Sequence, residues 1–228
     1  MSEQKSQVNR LRSFIEKLKQ PAWYGSDPGG SNKFGVAALS PDGRFETCCV
    51  SSVDQAVALI SRPISSLGID CPMWWTSGAG GGRKVDSWLR ETYKIPSGTV
   101  QSVNSLRGAV LVQGIMLAMR VREKHPGLPI TETHPKALLL ALKLGENPPW
   151  SQLTETFCLV GDEPADEHRR DALLSAVAAR EGEQERWRDL SVVRCHDELD
   201  PKQLWFGPVK YWWPHGDDTA AGRKAQKR

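Results

Sequence analysis

The chain has no apolar run approaching the roughly 18 residues that a membrane-crossing helix needs. Residues 1–20 are charged throughout and lack the apolar core of a signal peptide. Charge of one sign is also missing, since 30 Lys+Arg stand against 27 Asp+Glu for a formal net charge of +3. That balance excludes a strongly basic nucleic-acid coat and leaves room only for a local basic groove. No two of the five cysteines (Cys48, Cys49, Cys71, Cys158, Cys195) stand in a C-x-x-C spacing. Neither a disulfide framework nor a thiolate zinc site is therefore expected, and all five read as small buried hydrophobes. There is no internal repeat. These absences predict a soluble, cytoplasmic globular protein with no membrane partner.

What is present suits one sizeable core: 228 residues, 39% of them hydrophobic. Val8, Leu11, Phe14, Ile15 and Leu18 recur at spacings of three and four, predicting an N-terminal amphipathic helix within residues 1–21 that Pro21 ends. Strands are expected at 22–27, 34–39 and 45–50, the last two joined by a hairpin at Pro41-Asp42-Gly43. Ser52 or Asp54 would cap a helix through Ile60, and 65–70 reads as a buried fourth strand ending in an acid. Residues 71–105 lack clear periodicity apart from a short helix near 85–93. A strong helix follows at 106–124, a fifth strand at 128–132, a helix at 135–144, and an Ala/Leu-rich helix at 166–180 stopped by Gly182. Hairpins first and helical crossovers later imply an α/β fold, a mixed five-stranded sheet flanked by helices over residues 22–182. Residues 183–214 are expected to pack on that core, and 215–228 to form a disordered basic tail.

Four acids fall at informative places: Asp27, Asp70 and Glu132 end strands, and Asp171 lies in the last long helix. Singly each reads as a turn former or helix cap. Together they point to chemistry, because ligands gather at strand ends in α/β sheets. A carboxylate cluster there is costly unless a cation neutralises it. Mg²⁺ or Mn²⁺ prefers such oxygen ligands, and two ions ~4 Å apart hold a phosphodiester and activate the attacking water.

Trp23-Tyr24-Gly25-Ser26-Asp27-Pro28-Gly29-Gly30 followed by a hairpin resembles the first strand of ribonuclease H-like proteins. Ile69-Asp70-Cys71-Pro72 resembles an "I-D-x-P" motif, and Arg83-Lys84-Val85-Asp86 with Leu89-Arg90 its downstream "R-x-x-[DE]…L-R". Thr131-Glu132-Thr133-His134-Pro135-Lys136-Ala137 resembles "E-x-[YH]-P-x-A", and Asp171-Ala172-Leu173-Leu174-Ser175-Ala176 a "D-A-L-x-x-A" helix. In this order, over about residues 22–182, they resemble the predicted ribonuclease H-like nucleases known as domain of unknown function 429. The last helix is also similar to that of RuvC-type junction resolvases. The N-terminal helix lies outside the resemblance, and Asp86 stands where the family more often has Glu.

The resemblance implies a β1-β2-β3-α-β4-α-β5-α core and metal-dependent cleavage of DNA or RNA. Asp27 would bridge two metals, Asp70 and Glu132 would add ligands, and Asp171 would complete the site, with Glu167 one turn before it. His168 reads as a surface residue or a proton shuttle. From the residues themselves, Gly78 to Gly82 fails the phosphate-loop pattern because Arg83, Lys84 and Val85 follow. That run could still form a lid carrying Arg83 and Lys84 to a phosphate backbone, with Arg90 and Arg107 extending the groove. Trp74 and Trp75 stack bases or anchor loops, whereas Trp205, Trp212 and Trp213 read as anchors. The rival function is a non-catalytic nucleic-acid or protein-binding module that retains the fold. An ATP-using phosphotransferase of the actin/sugar-kinase type ranks last, because it needs two copies of the fold.

Overall fold

Glycine and alanine set the spacing between the sheet and its main helix, and that spacing decides where the acids at the sheet edge stand. The computed structural model describes residues 2–60, 63–76, 82–106, 108–191 and 202–215. Along the chain run α1 (Ser2–Glu16), β1 (Ala22–Asp27), β2 (Phe34–Leu39), β3 (Phe45–Val50), α2 (Val53–Leu59) and β4 (Ile64–Ile69). Then follow α3 (Lys84–Tyr93), α4 (Gly108–Lys124), β5 (Ile130–Glu132), α5 (Pro135–Ala141), α6 (Trp150–Phe157), α7 (Glu167–Glu183), β6 (Arg188–Asp189) and β7 (Trp212–Trp213). The main sheet has the order β3-β2-β1-β4-β5. The β1–β2 and β2–β3 pairs are antiparallel, and β1–β4 and β4–β5 are parallel. This is the α/β class with a mixed five-stranded sheet that the sequence predicts.

Local signals explain most boundaries. Gly43, at φ +84°, turns the β2–β3 hairpin, and the Ser40 amide closes it on the Arg44 carbonyl at 2.8 Å. The Ser52 hydroxyl accepts from the Gln55 amide and caps α2. Pro135 opens α5, where its missing N–H costs nothing. The amphipathic α1 packs on β3 and buries Leu11 and Ile15.

Helix α7 lies directly on the sheet. A Cβ on Gly25 of β1 would stand 1.9 Å from the Ala172 carbonyl oxygen and 2.3 Å from the Ala176 nitrogen. On Gly35 of β2 it would meet the His168 carbonyl oxygen at 2.2 Å, and on Gly68 of β4 the Ser175 carbonyl oxygen at 2.1 Å. Three strands thus offer bare backbone to one helix whose contacting face is Ala172, Ser175, Ala176 and Ala179. Because backbone atoms cannot yield as a flexible side chain does, Gly25→Ala should destabilise the fold by roughly 3 kcal/mol or more. Urea unfolding at equilibrium measures this, and a loss under 1 kcal/mol would mean that α7 can ride up freely.

Three expectations need correction here. Helix α7 continues through Gly182 to Glu183, because the glycine admits the Trp212 ring rather than ending the helix; a Cβ there would sit 1.9 Å from that ring. Helix α6 was not expected at all; Arg180 donates to the Phe157 carbonyl at its end. Trp205 is 62% exposed and is no anchor, whereas Trp212 and Trp213 are buried.

The segment carrying them runs beside β5. Lys210 donates to the Ile130 carbonyl at 2.8 Å, and its own carbonyl accepts from the Glu132 amide at 2.9 Å. β6 and β7 pair as a separate antiparallel ribbon. Cys48, Cys49 and Cys71 are buried as expected. Cys158 is exposed, because it ends α6 in the left-handed conformation at φ 51°. Cys195, Arg107, most of the glycine run and the tail from 216 lie outside the described residues. Among those described, no helix is long and apolar enough to cross a membrane.

Candidate metal centre

The parallel strands β1, β4 and β5 all end at one edge of the sheet, as the sequence predicts. Asp27 is the last residue of β1. Asp70 follows β4, and its amide donates to the Ser26 carbonyl at 2.8 Å, which ties the two acids to neighbouring strands. Side chains alternate along a strand. Gly25 and Gly68 face α7, so Asp27 and Asp70, two residues on, share that face with Asp171 of α7. The three acids line one cleft of about 180 Å³ together with Thr99, His134, Lys136, Glu167 and His168. A larger cleft of about 410 Å³ adjoins it and shares Lys136, Glu167 and Asp171.

The cleft is short of positive partners. His168 Nδ1 stands 2.6 Å from Asp27 Oδ2. Burial raises the Asp27 carboxyl above the ordinary range, partly opposed by His168. That bond in turn lifts the imidazole, so His168 is no mere surface residue. No hydrogen bond or ion pair reaches the carboxylates of Asp70 and Asp171 among the described residues. Burial, and then the charges of Asp27 and Asp171, push Asp70 well above the ordinary carboxylate range. Burial and Asp27 raise Asp171 to about 7. Burial opposes the charge on Lys136, but Asp171 and Glu167 outweigh it and keep the ammonium protonated. Its nearest carboxylate oxygen, at 3.4 Å, belongs to Glu167.

Glu132 does not join these acids, which corrects its expected role as a metal ligand. Thr133 is the residue that faces α7, hydrogen-bonded to Ser175 at 2.7 Å, so alternation turns Glu132 to the other side. There its oxygens accept from Arg83 Nη2 at 2.5 Å, Arg83 Nη1 at 2.8 Å and the Met73 amide at 2.9 Å. His134 Nε2 lies 3.1 Å from Oε1. Lone pairs committed to a guanidinium are not open to a metal.

The same Arg83 donates to both oxygens of Asp86, at 2.7 and 2.9 Å, and all three side chains are fully buried. Asp86, Glu132 and His134 do bring ligand atoms within 4.8 Å of one another. Arg83 already supplies the cation there, so this is an ion-pair network. Burial alone would raise Glu132; Arg83 outweighs it and brings the carboxyl down to about 2. Stability from this pair is therefore full above the ordinary value of 4.5 and is lost as pH falls from there toward 2. An acid titration followed by circular dichroism should show the loss in that window, and Glu132→Gln should flatten it.

Arg83 is consequently no phosphate-binding lid residue, because it is sealed in the core with its fork fully used. Trp74 is corrected likewise: it is fully buried, edge-on to Tyr211, with the Arg83 guanidinium 4.4 Å above its ring, so no base can stack on it. Arg90 clamps local structure, donating to the Val100 carbonyl at 2.8 Å and to Ser87 at 3.0 Å. Lys84 is exposed, and half-buried Trp75 meets the ring of Trp205 edge-on. Lys136 of the cleft was missed, although it stands one residue after the proline of the "E-x-[YH]-P-x-A" stretch. No family model matches this chain, and no curated protein matches it either.

Proposed function

We propose that the chain is a divalent-metal-dependent phosphodiester hydrolase, a nuclease acting on DNA or RNA in the cytoplasm. One observation carries the reading: Asp27, Asp70 and Asp171 are drawn into one cleft where the last two have no donor among the described residues and where burial and neighbouring acids raise both carboxyls. Evolution tolerates such repulsion where a cation relieves it. Three carboxylates are also the hard oxygen set that Mg²⁺ or Mn²⁺ takes. The strand order, and the placement of these acids at the ends of β1 and β4 and on α7, agree with the ribonuclease H-like resemblance.

Asp27, Asp70 and Asp171 would hold the ion. When bound, it would polarise a phosphoryl oxygen and lower the pKa of attacking water. A second ion would draw on Glu167, which lines the same cleft. The protein's own groups do the rest. His168 fixes the orientation of Asp27, and Lys136 offers an ammonium to a substrate phosphate. The binding-module rival draws on Lys136, whose charge already opposes the acids without any metal.

The two readings separate in a stability measurement. Asp171 is raised in the folded state, so the metal-free protein loses stability as pH rises from the ordinary 3.8 toward about 7. Mn²⁺ should restore it, raising Tm above pH 7 and scarcely near pH 4. Wild-type protein should then cut labelled DNA or RNA in Mn²⁺ and stop on chelation. A Tm indifferent to Mn²⁺ together with metal-independent nucleic-acid binding would favour the rival.

A further inference from the structure

Glu132, withdrawn from the metal site, leaves a question about the histidine it holds. His134 lines the cleft with Asp27, Asp70 and Asp171, and its side chain is 11% exposed. One ring nitrogen, Nε2, lies 3.1 Å from Glu132 Oε1. Glu132 is held as a carboxylate by Arg83 and by the Met73 amide, so it can only accept. Nε2 must therefore carry the proton, which leaves a lone pair on Nδ1 of the neutral ring. Nδ1 has no hydrogen-bond partner among the described residues. The ring is steadied by Tyr211, 5.8 Å away at a 37° tilt, and by its place at the head of α5 ahead of Pro135. A buried carboxylate that fixes the tautomer and an unpaired ring nitrogen on a residue lining the cleft make a base with its orienting group.

We infer that His134 is the general base of this cleft and that Glu132 is its positioning residue. The inference rests on the phosphodiester-hydrolase reading. Water adds to phosphorus through its oxygen as the bond from phosphorus to the leaving oxygen breaks. His134 Nδ1 takes the water proton, Nε2–H stays on Glu132, and the imidazolium then returns a proton to the leaving alkoxide or to solvent. Phosphorus changes partners with no net oxidation. His168 also rests one nitrogen on a carboxylate, but that carboxylate, Asp27, is the one that would hold the ion, whereas Glu132 is free of it.

His134→Gln tests this, because its amide nitrogen reproduces the Nε2–H donor to Glu132 and removes the lone pair at Nδ1. The substrate is bis(p-nitrophenyl) phosphate with Mn²⁺, whose leaving group needs no proton and so isolates the base. We expect unchanged Tm and an unchanged Tm rise with Mn²⁺, but kcat lower by ~10²-fold or more. Added imidazole should restore part of the rate to His134→Ala. Nitrogen NMR of the metal-free protein should show neutral His134 protonated at Nε2. A His134→Gln enzyme as fast as wild type, or a neutral ring protonated at Nδ1, overturns the inference and leaves the hydrolase reading standing. Wild-type protein that hydrolyses no phosphodiester in Mn²⁺ overturns that reading and this one with it.

Discussion

Asp27→Asn should keep the fold, lose phosphodiester hydrolysis by at least ~10³-fold, and lose the rise in Tm with Mn²⁺. Several kcal/mol of transition-state stabilisation by a bound ion correspond to that factor at 1.36 kcal/mol per decade. The amide keeps the shape of the carboxylate and the contact with His168, so packing at the end of β1 is unchanged. Its lost charge also removes the leading charge that raises Asp70 and the leading charge that raises Asp171. Without metal the variant should therefore be as stable as wild type above pH 7, or more so. Stability and activity moving in opposite directions mark a residue held against its own preference. A variant that still cuts at the wild-type rate would sink the assignment of the cleft. One that unfolds would show Asp27 to be structural.

The second large effect lies away from the cleft. Arg83→Met should cost 3–5 kcal/mol in equilibrium unfolding, because it strands Asp86 and Glu132 in the core without a counter-charge. The methionine fills similar volume, so the loss reports charge and not a void. Adding Asp86→Asn and Glu132→Gln to Arg83→Met should recover much of it, since no buried charge is then left uncompensated. If the single variant is as stable as wild type, water reaches these groups and the network is not sealed. His134 should also lose its fixed tautomer in the single variant, so kcat should fall with it.

Most of the fold was legible because its signals are local. Six-residue apolar strands, the Pro41-Asp42-Gly43 turn, the Ser52 cap and Pro135 each announce themselves within a few residues. The expected strand bounds at 22–27, 34–39 and 45–50 agree with the structure residue for residue. Gly182 misled because a glycine that ends a helix and one that admits an indole ring look alike until Trp212, thirty residues on, is placed. Helix α6 was hidden behind Pro148 and Pro149, which read as loop. Of the four predicted acids, Asp27, Asp70 and Asp171 reach one cleft. Glu132 sits one residue out of phase with Thr133, a difference that decides the face of a sheet and leaves no trace in a motif. Arg83 and Trp74 look like surface residues in a glycine-rich stretch; only their burial around Glu132 shows otherwise.

The bare-backbone contact between α7 and Gly25, Gly35 and Gly68 has a consequence for how such a protein can change. Asp171 and His168 ride on a helix whose height above the sheet is fixed by main-chain atoms, so no set of side-chain replacements on the sheet can re-aim them. Asp27 and Asp70 are fixed as firmly by strand register. Variation in what the cleft accepts must therefore come from its other walls: Thr99 in the stretch after α3 and Lys136 at the head of α5. A selection for altered substrate preference should collect its substitutions there and leave the three glycines untouched.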